Sequence, residues 1–298
     1  MAVGGDSVHS GPFCPGSARL MEDVMTLTQR IGRYGHWLGA AVMAVGLVAV
    51  WPLPALAQPA ERLSDKEVKN LIEQVDQARD KFEGNLDDKF KSSTIRGATR
   101  ETSVSAFLQD LQDNVSKLKD RFTDDYSASA EADTVFKQTT GLNTYMQTAT
   151  VTKGRSEFDK LVATLKSLAA AYDTTFPLPE GAVVRRMNDK EVAAAAAAIA
   201  NAADQYKKQI DLDKTALAIA DKERGKKAAD DLIKAAQTLK SRIEDGKPAS
   251  AEAQAVVKLT AALEAFNAPR PVTAGAAALS MARTAVGKLQ QAFHLATP

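Results

Sequence analysis

Side chains that commonly carry enzyme chemistry are scarce in this chain. The sequence contains one cysteine, Cys14, and three histidines, His9, His36 and His294, of which only His294 lies outside the N-terminal segment. A single histidine without a cysteine lacks the partners that a metal site, a covalently attached haem or an activated serine requires. We therefore expect His294 to act as a cation at the end of a helix.

Other catalytic patterns are also missing from the sequence. It has no Gly-x-Ser-x-Gly nucleophile motif and no glycine-rich phosphate loop ahead of a helix. A site made only of carboxylates, as in glycoside hydrolases, is left open by this search. Sugar-binding enzymes usually offer aromatic platforms, however, and both tryptophans, Trp37 and Trp51, lie near the N-terminus. We predict a protein that is not an enzyme and that uses no cofactor and no metal.

Charged residues that recur at matching positions in two halves of the chain are the candidate functional residues. One interpretation is a repeated recognition surface that offers two sites to one partner. The other, which we favour, is that they are solvated helix faces and ion pairs between helices. The first half contributes Asp80, Asp110, Lys119 and Arg121, and the matching residues of the second half are Asp204, Asp231, Lys240 and Arg242.

The two halves are recognised by a short sequence that occurs twice. Leu-Ser-Asp-Lys-Glu-Val at 63–68 returns as Met-Asn-Asp-Lys-Glu-Val at 187–192. Ser64 and Asn188 are good N-cap residues, and Glu67 and Glu191 follow three residues later, as in a capping box. Each copy therefore predicts the start of a helix.

The residues after each start predict four amphipathic helices per half. In the first helix, apolar residues recur at three- and four-residue steps, which places them on one helical face. They are Val68, Leu71, Ile72, Val75, Ala78, Phe82 and Leu86, with counterparts Val192, Ala195, Ala196, Ile199, Ala202, Tyr206 and Ile210. Residues 87–102 match least well. Gly97 and Ser103 indicate a loop there, with the alternative that helix continues through part of it, and no strand pattern is evident.

These patterns predict an all-α protein made of two tandem antiparallel four-helix bundles that arose by internal duplication and follow a signal peptide. The predicted boundaries are 1–57 for an N-terminal extension and signal peptide and 58–175 for the first bundle. A proline-containing linker covers 176–186, and the second bundle covers 187–298.

The second half replaces several bulky core residues by alanine, for example Phe107 by Ala228 and Val115 by Ala236. This difference has two interpretations. The helices pack more closely there, or they leave a groove for an apolar ligand or a partner helix. We favour close packing.

The N-terminal segment has the pattern of a secretory signal. Arg30 and Arg33 form a basic region ahead of the apolar run 37–50, and small residues ending at Ala57 provide a cleavage site. The alternative is an uncleaved membrane anchor, since the apolar stretch is nearly long enough to span a bilayer. We expect cleavage near Ala57 and a periplasmic or secreted bacterial protein.

The overall charge argues against a nucleic-acid partner, because 38 basic and 37 acidic residues leave a formal net charge of +1. We expect an exported, non-catalytic helical protein with a binding or scaffolding role in the bacterial cell envelope. The alternative is a periplasmic carrier that holds a small apolar ligand in a helical bundle. The expected partner is accordingly an envelope protein or an apolar ligand, with membrane contact only if the N-terminal segment stays uncleaved.

Overall fold

The computed structural model describes residues 61–97, 100–149, 153–212, 218–269 and 271–296. This part of the chain is mostly helical, which confirms the all-α prediction. The predicted N-terminal extension and signal peptide, with the cleavage site near Ala57, lie outside the described residues. The helices are α1 (Asp65–Asn85), α2 (Asp88–Lys91), α3 (Val104–Arg121), α4 (Ser129–Thr148), α5 (Arg155–Ala171), α6 (Asp189–Leu212), α7 (Ile219–Glu244), α8 (Ser250–Asn267) and α9 (Ala276–Phe293).

Both recurring sequences begin a helix with a capping box, as predicted. Ser64 Oγ accepts from the Glu67 N–H at 3.3 Å, and the Glu67 carboxylate accepts from the Ser64 N–H at 2.7 Å. Asn188 Oδ1 accepts from the Glu191 N–H at 2.7 Å, and the Glu191 carboxylate accepts from the Asn188 N–H at 2.9 Å. Each box satisfies backbone N–H groups that the first turn of a helix leaves without partners.

The described helices surround two separate hydrophobic cores. In the first, α1 and α4 each pack against both α3 and α5, around large side chains such as Phe82, Leu111 and Phe136. In the second, α6 and α8 each pack against both α7 and α9. This core contains many alanines, among them Ala196 and Ala236, which are fully buried.

Two glycines allow aromatic rings to pack closely in and beside the alanine-rich second core. A Cβ atom at Gly225 of α7 would lie 2.6 Å from Phe266 Cε1 and 2.9 Å from Ile210 Cδ1. A Cβ atom at Gly275, just before α9, would lie 2.6 Å from Tyr206 Cδ2. All three distances are shorter than van der Waals contact, so the rings rest directly on the glycine backbone. The helices of the second core therefore pack closely around these rings.

We expect Gly275→Ala to lower the free energy of unfolding by about 1 kcal/mol, because overpacking a buried site outweighs the entropic gain of alanine. Tyr206 has little room to move, since it is fully buried and its hydroxyl donates to Asn267 at 2.9 Å. The matched control is Gly287→Ala within α9, where an added Cβ meets no atom within 4 Å. The control is expected to raise stability by about 0.5–1 kcal/mol in urea unfolding. Equal effects of the two variants would contradict the close packing.

A short β-hairpin occurs where the sequence indicated a loop or continued helix. Strands β1 (Thr94–Arg96) and β2 (Glu101–Ser103) pair antiparallel, with Ile95 opposite Thr102. Ile95 is buried and joins the first core. Three residues per strand are too few to show an alternating pattern, so the sequence analysis missed the hairpin.

The predicted linker at 176–186 is held against the first core. Phe176 is buried there, and the Leu178 N–H donates to Thr140 Oγ1 at 2.9 Å. Further along, the Arg185 N–H donates to the Tyr172 carbonyl at 3.2 Å. These contacts fix the path of the chain up to the start of α6.

The described helices were also compared with the requirements of a membrane span. None of them combines the length and the apolar character that crossing a bilayer requires.

Candidate functional site

The N-terminal ends of α1 and α6 face each other, and their first residues exchange hydrogen bonds. The Asp65 N–H donates to Asp189 Oδ2 at 2.8 Å, and the Asp189 N–H donates to Asp65 Oδ2 at 2.7 Å. A carboxylate is favourable at a helix N-terminus, because it accepts from a free N–H group and faces the positive end of the helix dipole. Here each aspartate does this for the helix of the other half.

Arg186 binds the aspartate of the first helix start. Its guanidinium donates to Asp65 Oδ1 at 2.8 Å and to the Leu63 carbonyl at 2.6 Å, and it reaches the Ala171 carbonyl at 3.3 Å. The backbone of Arg186 is also held, since its carbonyl accepts from Ser127 Oγ at 2.8 Å. Arg186 therefore links the linker, the start of α1 and the end of α5.

Arg62 makes the matching contacts with the second helix start. It donates to Asp189 Oδ1 at 2.5 Å and to the Met187 carbonyl at 2.7 Å. Arg62 precedes Asp65 by the same number of residues as Arg186 precedes Asp189. Equivalent residues thus exchange equivalent bonds, which is the isologous pattern of a two-fold contact. We call these four residues, Arg62, Asp65, Arg186 and Asp189, the reciprocal junction.

The reciprocal junction is largely removed from solvent. The exposed fraction of the side chain is 6% for Arg62, 9% for Asp65, 3% for Arg186 and 21% for Asp189. Burial, followed by the nearby positive charge of Arg186, lowers the pKa of Arg62 below its ordinary value, against the attraction of Asp189. An arginine nevertheless remains charged at neutral pH. The junction is therefore a buried ionic network, in which the loss of one member leaves an opposite charge without its partner.

A cleft of about 330 Å³ lies beside the junction and is lined by equivalent residues of the two halves. Ala171 near the end of α5 and Ala292 near the end of α9 occupy matching positions. Asp173 and His294, just beyond these helices, also match. Small-molecule sites occur preferentially where two structural units meet. The cleft is consequently the candidate ligand site among the described residues.

His294 is found at a helix end, where the sequence analysis expected it. It caps α9 in the left-handed conformation, with φ of 51°, and its Nδ1 lies 3.4 Å from Asp173 Oδ1. Ser167 lines the same cleft, but its hydroxyl donates to the Ala163 carbonyl at 3.4 Å. Within the described chain, no hydrogen bond joins Ser167 to His294, so these residues are not arranged as a Ser–His–Asp relay.

A metal site requires several ligating side chains close together. Across the described ranges, no group of three or more histidine, cysteine, aspartate or glutamate side chains is placed to hold a metal ion. The geometry of the cleft favours binding of an organic molecule by charged and apolar groups.

Two of the eight candidate surface residues form the same ion pair in both halves. Arg121 at the end of α3 lies 2.9 Å from Glu131 in the first turn of α4. Arg242 near the end of α7 lies 3.1 Å from Glu252 in the first turn of α8. The repeated pair fastens one helix to the next at an acidic N-terminal turn, where a carboxylate is favourable.

The other candidate residues have different partners in the two halves. Asp80 pairs with Arg79 and Asp204 with Lys208, whereas Lys119 pairs with Glu73 and Lys240 with Glu244. Asp231 pairs with Lys227, and Asp110 lines a groove beside the hairpin. In the described structure, seven of the eight candidate residues form an ion pair. In each case the partner is a residue that is not one of the eight candidates. A shared partner surface made by these residues stays a prediction.

The sequence analysis missed the reciprocal junction, although a signal for it was present. Asp65 and Asp189 lie inside the recurring sequence and were treated only as first residues of a helix. Arg62 and Arg186 lie immediately ahead of it, and one more residue of alignment includes both. The pairing across the two halves depends on tertiary structure and has no local signature.

Known proteins give no family for this chain. Comparisons with protein-family models, with curated proteins and with solved structures found no match. The function is therefore inferred from the geometry of the chain itself.

Proposed function

We propose that this protein is an exported, non-catalytic helical protein that binds or scaffolds components of the bacterial cell envelope. The observation that carries the proposal is the reciprocal junction. Four charges that are largely removed from solvent hold two helical units in one arrangement, so that equivalent helix faces are presented to a partner at a fixed spacing. A partner that contacts both faces at once binds more tightly than it would bind either face alone, because the second binding event is intramolecular.

The proposed architecture is a tandem pair of antiparallel four-helix bundles that arose by internal duplication. Three observations support it: each core is enclosed by four long helices, both halves begin with the same capping box, and the Arg121–Glu131 ion pair recurs as Arg242–Glu252. The proposed boundaries remain 58–175 and 187–298, separated by the linker at 176–186.

Export is supported by the N-terminal sequence pattern and by cysteine usage. Cleavage near Ala57 leaves a chain that starts at Gln58 and contains no cysteine, since Cys14 is removed. Such a chain folds without disulfides if its cores are large enough. The two separate cores of the described residues support this requirement.

A carrier that encloses an apolar ligand in the second core has less support. The alanines that suggested a groove are accompanied by Gly225 and Gly275, and the rings of Phe266 and Tyr206 occupy the space above these glycines. Close packing is the better account of the alanine-rich core.

Site-specific photocrosslinking in the native host tests the proposed function. Asp110 and Asp231 occupy equivalent exposed positions in the two halves. We expect a crosslinker at either position to capture the same envelope component. Lys160, which is 70% exposed and whose counterpart in the second half is the apolar Met281, is the control position and is expected to capture none. Absence of any captured component at both Asp110 and Asp231 would overturn the proposal.

A further inference from the structure

The cleft beside the reciprocal junction is built from equivalent residues, but its two sides differ in charge. Arg62 matches Arg186, and Ala171 matches Ala292. In contrast, Glu61 of the first half corresponds to Arg185 of the second, and Asp173 corresponds to His294. At these two differing positions, the first half supplies acidic side chains and the second half supplies basic ones.

Asp173 and Arg185 place opposite charges side by side in this cleft. Asp173 Oδ2 lies 3.6 Å from Arg185 Nε, and the two side chains are 37% and 57% exposed. The side-chain oxygen of Gln291, in the amide orientation that satisfies its hydrogen bonds, accepts from Arg185 Nη2 at 2.8 Å. The pair is therefore positioned by its surroundings and still open to solvent.

The charges of the reciprocal junction, which lies beside the cleft, largely cancel each other. Arg62 is paired with Asp189 and Arg186 with Asp65. A ligand in the cleft therefore meets little net charge from the junction. Asp173 and Arg185 offer it the opposite charges of one ion pair, with Glu61 and His294 also in the lining. This arrangement favours a ligand that carries both charges over a simple anion or cation.

Apolar side chains form part of the remaining wall, beside the polar Ser167. They belong to Leu63, Ala170, Ala171, Met187 and Ala292. The volume of about 330 Å³ corresponds to roughly ten molecules of liquid water. That space is large enough for one amino acid.

We propose that this cleft binds a free α-amino acid with an aliphatic side chain. Its carboxylate pairs with Arg185 and its ammonium group with Asp173, while the side chain lies against the alanines of α5 and α9. An α-amino acid carries its ammonium and carboxylate groups on the same carbon atom, so both can engage a protein pair whose own charged atoms are 3.6 Å apart. Each contact is a charge-assisted hydrogen bond, the stronger kind.

Calorimetric titration of the intact chain with L-leucine and two analogues tests the ligand chemistry. 4-Methylpentanoate lacks the ammonium group, and 3-methylbutylamine lacks the carboxylate. We expect leucine to bind and each analogue to bind at least tenfold more weakly. If leucine does not bind, or if either analogue binds as tightly as leucine, the proposal is overturned.

Variants of the cleft locate the bound amino acid. Arg185→Gln and Asp173→Asn are each expected to weaken leucine binding at least tenfold, and Ala170→Trp is expected to abolish it by filling the cleft. Asp159→Asn, which removes an exposed ion pair with Arg155 elsewhere on α5, is the matched control and is expected to bind normally. All four positions are exposed, so the midpoints of urea unfolding should agree with that of the parent chain. Normal leucine affinity in any of the three cleft variants would overturn the assignment.

Discussion

Replacing Arg186 with alanine is expected to lower the free energy of unfolding by about 3–5 kcal/mol. The Asp65 side chain is only 9% exposed, and the variant removes the guanidinium that donates to it at 2.8 Å. The carbonyls of Leu63 and Ala171 lose the same donor. A buried charge without its partner carries the full cost of desolvation, which explains the large expected effect.

Urea unfolding followed by circular dichroism measures this loss. Lys208→Ala removes an exposed ion pair with Asp204 within α6 and is expected to cost less than about 1 kcal/mol. The loss of unfolding free energy for Arg62→Ala should lie between those for Arg186→Ala and Lys208→Ala. Its partner Asp189 is 21% exposed and can be solvated in part. A cost for Arg186→Ala as small as that of Lys208→Ala would show that the junction does not stabilise the fold.

The same variant tests whether the junction couples the two cores. If it does, the parent chain unfolds in a single transition, and Arg186→Ala separates the unfolding of the first core from that of the second. Two transitions, or a lower slope of free energy against urea, are the expected signs. A double-mutant cycle with Asp65→Ala isolates the pairwise term, for which non-additivity is expected.

Local sequence signals were sufficient to predict how α1 and α6 begin and which face of α1 is buried. Ser64 and Glu67, like Asn188 and Glu191, form capping boxes because all the groups involved lie within one turn. The apolar stripe of α1 is buried at Val68, Ile72, Val75 and Phe82 for a similar reason, since helical periodicity alone decides which residues share a face.

Contacts between distant segments were not predictable in this way. Asp65 and Asp189 are 124 residues apart, and their reciprocal hydrogen bonds exist only because two helix ends meet. Asp173, Arg185 and His294 converge on the cleft from three different segments. Their charges were visible in the sequence, but their distances depend on the packing of α5 and α9.

Arg79 shows the limit of the periodicity argument for α1. The apolar pattern passes from Ala78 to Phe82 and omits Arg79, yet this arginine is only 2% exposed. A charged side chain within an apolar stripe is normally assigned to the solvated face, because an unpaired buried charge is costly. The structure instead directs its guanidinium to Glu83 at 2.6 Å and to Asp80, and leaves its Nε without a partner in the described residues.

We expect Arg79→Met to raise the free energy of unfolding by about 1–3 kcal/mol. An apolar side chain of similar length avoids the desolvation of the buried guanidinium, and this is stabilising as long as no buried charge is left without its partner. The acidic partners tolerate the change, because Glu83 is 29% and Asp80 58% exposed, so water can solvate both carboxylates. The second half of the chain already has an apolar residue, Ala203, at the matching buried position.

The control for Arg79 separates charge from volume. Arg79→Ala removes the same charge but leaves a cavity in the first core, and is expected to lower stability relative to Arg79→Met by about 2–3 kcal/mol. Both variants are measured by urea unfolding at neutral pH and again at high salt. If Arg79→Met is destabilising at both salt concentrations, the Arg79 ion pairs contribute more than the burial of the guanidinium costs. In that case the role of Asp80 is to pair with Arg79 and so stabilise the first core, not to form a shared partner surface. Its counterpart Asp204 has a different partner, Lys208.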